Sequence, residues 1–354
     1  MTSAHLGAIQ SIYERMQKMK IDLLCSDGSP LGVTMATLAG DDPHQPGIGG
    51  AELALLTMCE LWAKRGDDVT LYNTPRGFDK SPFHQSNIQD FNGQQERDAL
   101  IIFRSPNYQV VGAKGKKIWW SCDQYTIGSF KDFAPKVDKI VTISQFHADY
   151  FKKEYGIENT ITIDLPVRTW EYENQGIIKV PKRCLFSSIP DRGLRELLRV
   201  WPQIVNTIPE ASLVITSDYR LWGIGAPMNN QYCAMIPGLK NVTMRGAVRR
   251  SELVEEQLKA EVLPYPCNYD ELFCYSVAEA ECTGILPVTT RIGALDTTNF
   301  GWFSGRDEFA DTVIKALNTP KENVSVYGDV FTKLSLIRFG PERILAEWDK
   351  VFAS

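Results

Sequence analysis

No apolar run in this 354-residue sequence approaches the roughly 20 residues needed to cross a bilayer. The N-terminus carries no signal-peptide core, so a cytoplasmic protein is expected. Histidine is sparse. The four present, at 5, 44, 84 and 147, lie far apart, and none stands in H-E-x-x-H or similar spacing, so no metal site is expected. None of the eight cysteines (25, 59, 122, 184, 233, 267, 274 and 282) forms a C-x-x-C pair. Several sit inside apolar runs and read as buried free thiols in a reducing compartment. Positive charge is not in surplus: 38 Lys and Arg face 43 Asp and Glu, a formal net charge of −5. A dedicated nucleic-acid binder, whose affinity rests on excess cations, is therefore disfavoured. Short-period repeats and low-complexity tracts are also missing.

What remains is an ordinary globular composition, 44% hydrophobic and 23% charged, in a chain long enough for two cores. Residues 3–19 are weakly amphipathic, with Leu6, Ile9, Ile12, Tyr13, Met16 and Met19 on one side and Arg15, Lys18 and Lys20 nearby. Packing on the protein or fraying is the expectation there, with weak contact to an anionic membrane surface as the alternative. Strands are expected at Ile21–Cys25, Val69–Asn73, Ala99–Arg104, Lys117–Ser121, Lys139–Ser144 and Thr160–Asp164. These runs are apolar without strict alternation, as in parallel strands buried on both faces. Gly50–Arg65 reads as a helix with Leu55, Met58, Cys59 and Trp62 on one face and Gly66 as its stop.

Residues 165–182 break the pattern with prolines, charges and a glycine, and read as a linker. The alternation then restarts with strands at Cys184–Ser187, Ser212–Thr216, Val242–Arg245, Glu261–Pro264 and Ile285–Thr289. Helices are expected at Leu194–Val205, Ser251–Leu258 and Tyr275–Thr283. Leu194, Leu197, Leu198, Trp201, Ile204 and Val205 form the clearest helical face. Two successive β/α series imply an α/β fold of two doubly wound domains, with ligands bound between them at the carboxyl ends of the strands.

Three loops feed helices and carry candidate chemistry. Gly47-Ile48-Gly49-Gly50-Ala51-Glu52 exposes backbone N–H groups at a helix start, which attract anions; a turn without a ligand is the other reading. A dinucleotide fingerprint fails here, because Glu52 stands at the third glycine position and the loop begins some twenty residues beyond the first strand. Ser187-Ser188-Ile189-Pro190-Asp191-Arg192-Gly193 sets a guanidinium and two hydroxyls before a strong helix, which suits a diphosphate. Alternatively, Arg192 pairs with Asp191 or a surface carboxylate. In the third, Glu271 precedes a helix start and Glu279 lies inside the helix, so the two carboxylates can reach different parts of one elongated ligand. A capping role for Glu271 and a solvent-facing Glu279 are equally compatible with spacing alone.

Taken together, these segments resemble the family 4 retaining glycosyltransferases of the GT-B fold, from about Lys20 to the C-terminus. Glu271-x7-Glu279 followed by Ala280, Gly284 and Pro287-Val288 is the most specific match to the family pattern. Lys259–Pro266, Gly49–Glu52, Ser187 to Leu194, and Phe339–Phe352 as the returning terminal helix extend it. The resemblance implies two facing Rossmann-like domains with an interdomain cleft. An acceptor-side domain would span 1–168 (with 1–19 as an extra helix), a nucleotide-sugar domain 169–335, and a returning helix 336–354. It implies a UDP- or GDP-sugar co-substrate, retention of configuration, no metal, and no other cofactor. Glu279 would hold the ribose, Glu271 the sugar and Arg192 the diphosphate. Gly49, Gly50, Ser187, Ser188, Gly193, Phe273, Cys274 and Tyr275 would complete the donor site.

Departures from the family are specific. Cys122-Asp123 stands where the family has His-Asp, so Asp123 would act alone among the catalytic set of Glu271, Asp123 and Arg192. Cys274 replaces the glycine after Phe273, and Pro166-Val167-Arg168 replaces the common linker motif. A catalytically silent nucleotide-sugar binder and a sugar-nucleotide epimerase or hydrolase are the alternatives. The acceptor, whether glycan, lipid-linked, protein or modified nucleic acid, has no readable motif.

Overall fold

The computed structural model describes residues 18–26, 32–42, 45–77, 81–222, 224 and 230–354. The amphipathic stretch at 3–19 lies almost entirely outside these residues. Seven parallel strands form the first sheet: β1 (Lys20–Leu24), β2 (Asp68–Tyr72), β3 (His84–Ser86), β4 (Ala99–Phe103), β5 (Lys116–Trp120), β6 (Lys139–Thr142) and β7 (Ile161–Thr162). Six form the second: β8 (Arg183–Phe186), β9 (Ser212–Ile215), β10 (Val242–Met244), β11 (Val262–Tyr265), β12 (Leu286–Thr289) and β13 (Trp302–Phe303). Their orders are β3-β2-β1-β4-β5-β6-β7 and β10-β9-β8-β11-β12-β13. Both are doubly wound, and each reverses direction once, between β1 and β4 and between β8 and β11.

Burial explains why the strands read as continuous apolar runs. Every residue of β4 and β11 is buried, because helices cover both faces of each sheet. The short edge strands β3 and β13 escape sequence reading for a different reason. Each pairs on one side only and is very short, three residues in β3 and two in β13, so neither makes a run long enough to read.

The Leu194–Thr207 helix buries the six side chains its periodicity singles out: Leu194, Leu197, Leu198, Trp201, Ile204 and Val205. Gly50–Arg65 behaves differently. Its sequence marks one apolar face, yet Leu53 through Glu60 are all buried, together with Trp62. Other elements cover it from several sides, and Gly66 ends it in the left-handed conformation at φ 104°.

One of those covers is the final helix, Pro341–Ala353, which follows a 19-residue helix, Lys321–Phe339. Its Trp348 packs edge-on to Trp62 at 5.3 Å and to Trp120 at 5.2 Å, joining the core of the first sheet. Asp349 pairs with Arg65 at 2.5 Å, and Lys116 Nζ donates to the Phe352 carbonyl at 2.7 Å. The C-terminus is thereby sewn to the first sheet by one tryptophan and two polar contacts. Seven of the eight cysteines are buried free thiols; Cys233 is exposed, against the sequence reading. Among the described residues no helix is long and apolar enough to cross a membrane.

Trp348 is 1% exposed and surrounded by aromatic rings that cannot collapse into its space. Trp348→Ala should therefore cost about 3–5 kcal/mol of stability. Denaturant titration followed by far-UV circular dichroism checks this; a loss under about 1 kcal/mol would mean that the final helix is not integral to the first core.

Candidate active site

Ligands of doubly wound sheets sit beyond the carboxyl ends of the strands where the order reverses. Here the loops after β1 and β4 meet those after β8 and β11, and together they line one cavity of about 440 Å³. Of the sequence-predicted site residues, Gly49, Gly50, Asp123, Ser187, Ser188, Arg192, Glu271, Phe273, Cys274, Tyr275 and Glu279 all line it.

Gly193 does not line it. It opens the following helix with φ 110°, and a β-carbon there would lie 2.5 Å from the Pro266 carbonyl oxygen. Its role in this structure is to let that helix start against the loop after β11, not to approach a ligand. Gly50 has a comparable constraint. A β-carbon on it would stand 2.7 Å from Cβ of Tyr275, so the starts of the Gly50–Arg65 and Tyr275–Cys282 helices are in direct contact there.

Arg192 and Glu271 come from the two sides of the β8–β11 reversal and form an ion pair through Nη1 and Oε2. Asp191 is not the partner of Arg192; it accepts from the hydroxyls of Tyr219 and Tyr232. The other Glu271 oxygen accepts from the buried Tyr265 hydroxyl, and the Arg192 guanidinium lies 4.3 Å from the centre of the Tyr269 ring. Burial is the largest influence on the Arg192 pKa and pulls it down, but the charge and hydrogen bond of Glu271 together with Tyr265 and Tyr269 outweigh it and hold the guanidinium above its ordinary value. Glu271 is thus not a helix cap. The backbone of Gly293 presses on it, and its carbonyl accepts from Ala294 N at 2.7 Å. Ser188 Oγ bonds to the Tyr265 hydroxyl at 3.1 Å, whereas Ser187 Oγ is buried with no hydrogen-bond partner.

Glu279 lines the same cavity among a separate set of partners and is 4% exposed, so it does not face solvent. Arg250 Nη1 sits 2.6 Å from its Oε1, which also accepts from Tyr172, while Oε2 accepts from Gln257 at 3.0 Å. A carboxylate has about four acceptor sites; Tyr172 and Gln257 hydrogen-bond to two of them, while Arg250 Nη1 adds charge without hydrogen-bond geometry, so acceptor capacity remains. Arg250 pairs in turn with Glu171 at 2.6 Å, Glu171 with Arg168 at 2.5 Å, and Arg168 with Glu60 at 2.7 Å. The ladder runs from the Gly50–Arg65 helix through the linker to Glu279. The linker therefore builds part of the site.

The helix Tyr275–Cys282 that carries Glu279 begins at Cys274, whose φ is 72°. That left-handed conformation costs a non-glycine residue roughly 1–2 kcal/mol. The backbone thus keeps a glycine-like path although the side chain is cysteine.

Asp123 does not act alone. Arg104 grips both its oxygens, Nε to Oδ2 at 2.8 Å and Nη2 to Oδ1 at 3.2 Å, and also reaches Glu52 Oε1 at 2.5 Å. Arg104 is itself left-handed, φ 63°, pinned by its N–H to the Trp120 carbonyl at 2.9 Å and by Trp119 Nε1 to its own carbonyl at 2.7 Å. Cys122, at the position of the family histidine, lines the same cavity. His147, by contrast, is fully buried and neutral: burial lowers its pKa to about 3, and Nδ1 accepts from Ile143 N at 3.3 Å.

Sequence reading therefore missed two arginines. Arg104 ends an expected strand and Arg250 stands one residue before an expected helix, so each lies at an element boundary beside a site loop. Their partners are distant in sequence, and no motif advertises them. Among the described residues no group of three or more His, Cys, Asp and Glu side chains is placed to hold a metal ion.

Glu281, two residues after Glu279, faces away from the cavity. It accepts from Phe300 N at 2.6 Å and Ser335 Oγ at 3.3 Å, and burial raises its pKa to about 8. Because the unfolded chain releases this proton near the ordinary carboxylate value, stability should fall as pH rises from about 4.5 to 8 and then level off. Glu281→Gln should remove that slope, a gain of at most a few kcal/mol above pH 8. Melting temperatures of both proteins across this range check it; parallel curves would refute the assignment.

No family model and no curated protein sequence matches the chain. Solved structures do match. HepE of Anabaena in complex with UDP and glucose is 14% identical, with a TM-score of 0.69 over 95% of this chain and 100% of that one. A glycosyltransferase from Rickettsia africae is 14% identical, with a TM-score of 0.71 over 95% and 98%. Sucrose-phosphate synthase from Thermosynechococcus elongatus is 14% identical, with a TM-score of 0.72 over the same shares. The two facing parallel sheets, of seven and six strands, thus have the GT-B fold of the family 4 retaining glycosyltransferases over 95% of the chain.

Proposed function

We propose that this chain is a retaining glycosyltransferase that moves a sugar from a nucleoside diphosphate, UDP or GDP, to a hydroxyl acceptor. The observation that carries the reading is that one cavity is lined by Arg192 paired with Glu271 and, in a separate network, by Glu279 paired with Arg250. A ligand with an anionic diphosphate and hydroxyl-bearing groups on either side of it matches this set of groups. Several relatives in fold support it: HepE has been seen with UDP-glucose. Retention and a metal-free reaction belong to the same proposal and rest on likeness of fold.

In this reading the anomeric carbon–oxygen bond breaks and its electron pair leaves with the nucleoside diphosphate. The acceptor oxygen bonds to that carbon on the same face, and its proton passes to the departing phosphate oxygen. Negative charge grows on the diphosphate as the bond breaks, so a fixed cation there lowers the barrier. Arg192 supplies it. Nη1 is engaged by Glu271, and the remaining guanidinium N–H groups are oriented by that pair. The unpartnered Ser187 hydroxyl, Ser188, and the backbone of Gly49 and Gly50 add donors. The Cys274 and Tyr275 backbone, at the start of a helix, faces the same space.

Glu271 is read as holding sugar hydroxyls and Glu279 as using its remaining acceptor capacity for ribose. Phe273 is 2% exposed and packs edge-on to Phe339 at 5.5 Å, so it supports this loop from beneath. Asp123, oriented by Arg104, stands on the acceptor side. Cys122 in place of histidine favours a second reading, a nucleotide-sugar binder without turnover.

Arg192→Ala should weaken UDP binding about tenfold or more while changing uridine binding little, since only the diphosphate loses its cation. Isothermal titration of both ligands checks this, and equal losses would count against a diphosphate role. Glu279→Ala should raise the Michaelis constant for donor; an unchanged value would contradict the ribose assignment. Donor binding without transfer across a broad acceptor panel would select the second reading.

A further inference from the structure

Exposed large apolar side chains are few on the described surface, and four of the ten lie on two adjoining loops: Tyr108, Val111, Tyr125 and Ile127. These loops follow β4 and β5, on the Asp123 side of the cavity. Tyr125 and Ile127 are 73% and 71% exposed. Their neighbours are tied down. The Gln124 carbonyl accepts from the Tyr155 hydroxyl at 2.5 Å, and its side-chain amide donates across the cleft to the Asp270 carbonyl. Thr126 Oγ1 bonds to Ser105 Oγ at 2.8 Å, and Gly128 lies against Pro106, where an added β-carbon would be 3.2 Å from its Cβ. Asn107 bridges to Ser26 at 3.0 Å.

Residues 124 and 126 are therefore anchored by hydrogen bonds, and 125 and 127 are held out into water. Such display opposes the hydrophobic effect, and large apolar groups fixed at the rim of a cavity mark a binding surface. The surface is continuous with the cavity. Asp123 and Gln124, the two residues that lead into Tyr125, line it.

We propose that Tyr125 and Ile127 form the acceptor platform and take an acceptor whose reacting end is a sugar ring; this rests on the transferase reading above. A pyranose has an apolar C–H face that an aromatic ring and a branched aliphatic side chain can cover, with its hydroxyls left toward water and Asp123. Charge on the loop argues against an anionic membrane or nucleic acid: residues 121–129 carry no lysine or arginine and one carboxylate, Asp123. Tyr108 extends the apolar surface on the far side, its hydroxyl 3.5 Å from the Ser129 carbonyl.

The test is capture on an array of tagged oligosaccharides by the full chain at saturating UDP. Wild type should retain at least one class of saccharide. Tyr125→Ala and Ile127→Ser should each lower that retention about tenfold, Tyr125→Phe less than about threefold, and all three should bind UDP as wild type does. Capture of no saccharide by UDP-bound wild type, or retention by Tyr125→Ala equal to wild type, overturns the platform alone. Binding of phosphatidylglycerol–phosphatidylcholine vesicles that Ile127→Ser abolishes overturns it in favour of a membrane surface. Failure of wild type to bind either UDP or GDP would sink the transferase reading itself.

Discussion

The contact between Tyr275 and Gly50 sets how closely the two sheets approach each other, and the site depends on that approach. The Tyr275 ring belongs to the core of the first sheet although its helix belongs to the second. Its hydroxyl donates to the Pro166 carbonyl, and its Cβ leaves no room for a side chain at position 50. Glu279 lies four residues further along the same helix, one turn away. Seating Tyr275 therefore fixes the distance from the glycine loop to Glu279, and through the loop before it the place of Glu271. The first core also takes in Leu272, Phe273 and Phe339, so the closed arrangement rests on apolar burial as well as on polar contacts.

Electrostatics then orients what packing has brought together. Three arginine groupings stand around one cavity: Arg192 with Glu271, Arg250 with Glu279, and Arg104 with both Asp123 and Glu52. Buried pairs of this kind add little net stability, but removing one partner leaves an uncompensated charge and is costly. Their value lies in geometry. Each holds a carboxylate in one orientation before a ligand arrives, so that no reorganisation is needed when charge develops. The ladder from Glu60 through Arg168 and Glu171 to Arg250 gives Glu279 a second tie to the first sheet, parallel to that of Tyr275. Two of the arginine sites also come with left-handed non-glycine backbone nearby, at Arg104 and Cys274. Such strain persists only where surrounding structure over-determines it.

Local chemistry made much of this visible from sequence. The parallel strands announced themselves as short runs apolar on both faces, and the Leu194–Thr207 helix as a clean 3.6-residue stripe. Glycine and arginine before helix starts, and two glutamates eight positions apart, marked the cavity's walls because those residue types serve anions and hydroxyls wherever they occur. Spacing could not tell Glu279 from Glu281, one facing the cavity and the other buried against Phe300 and Ser335. Nor could it see that Asp123 is gripped by Arg104, since their pairing depends on two strands lying side by side.

Sequence by itself thus determined the architecture and many of the residue types that line the cavity, because both follow from local periodicity and from chemistry carried within single loops. Tertiary structure alone decided the partners: which arginine meets which carboxylate, which glycine serves a helix rather than a ligand, and which tyrosine faces water at the cavity's rim. Those choices depend on contacts between residues separated by tens to more than a hundred positions, such as Arg192 with Glu271 and Tyr172 with Glu279. No periodic signal within either segment encodes a contact of that kind.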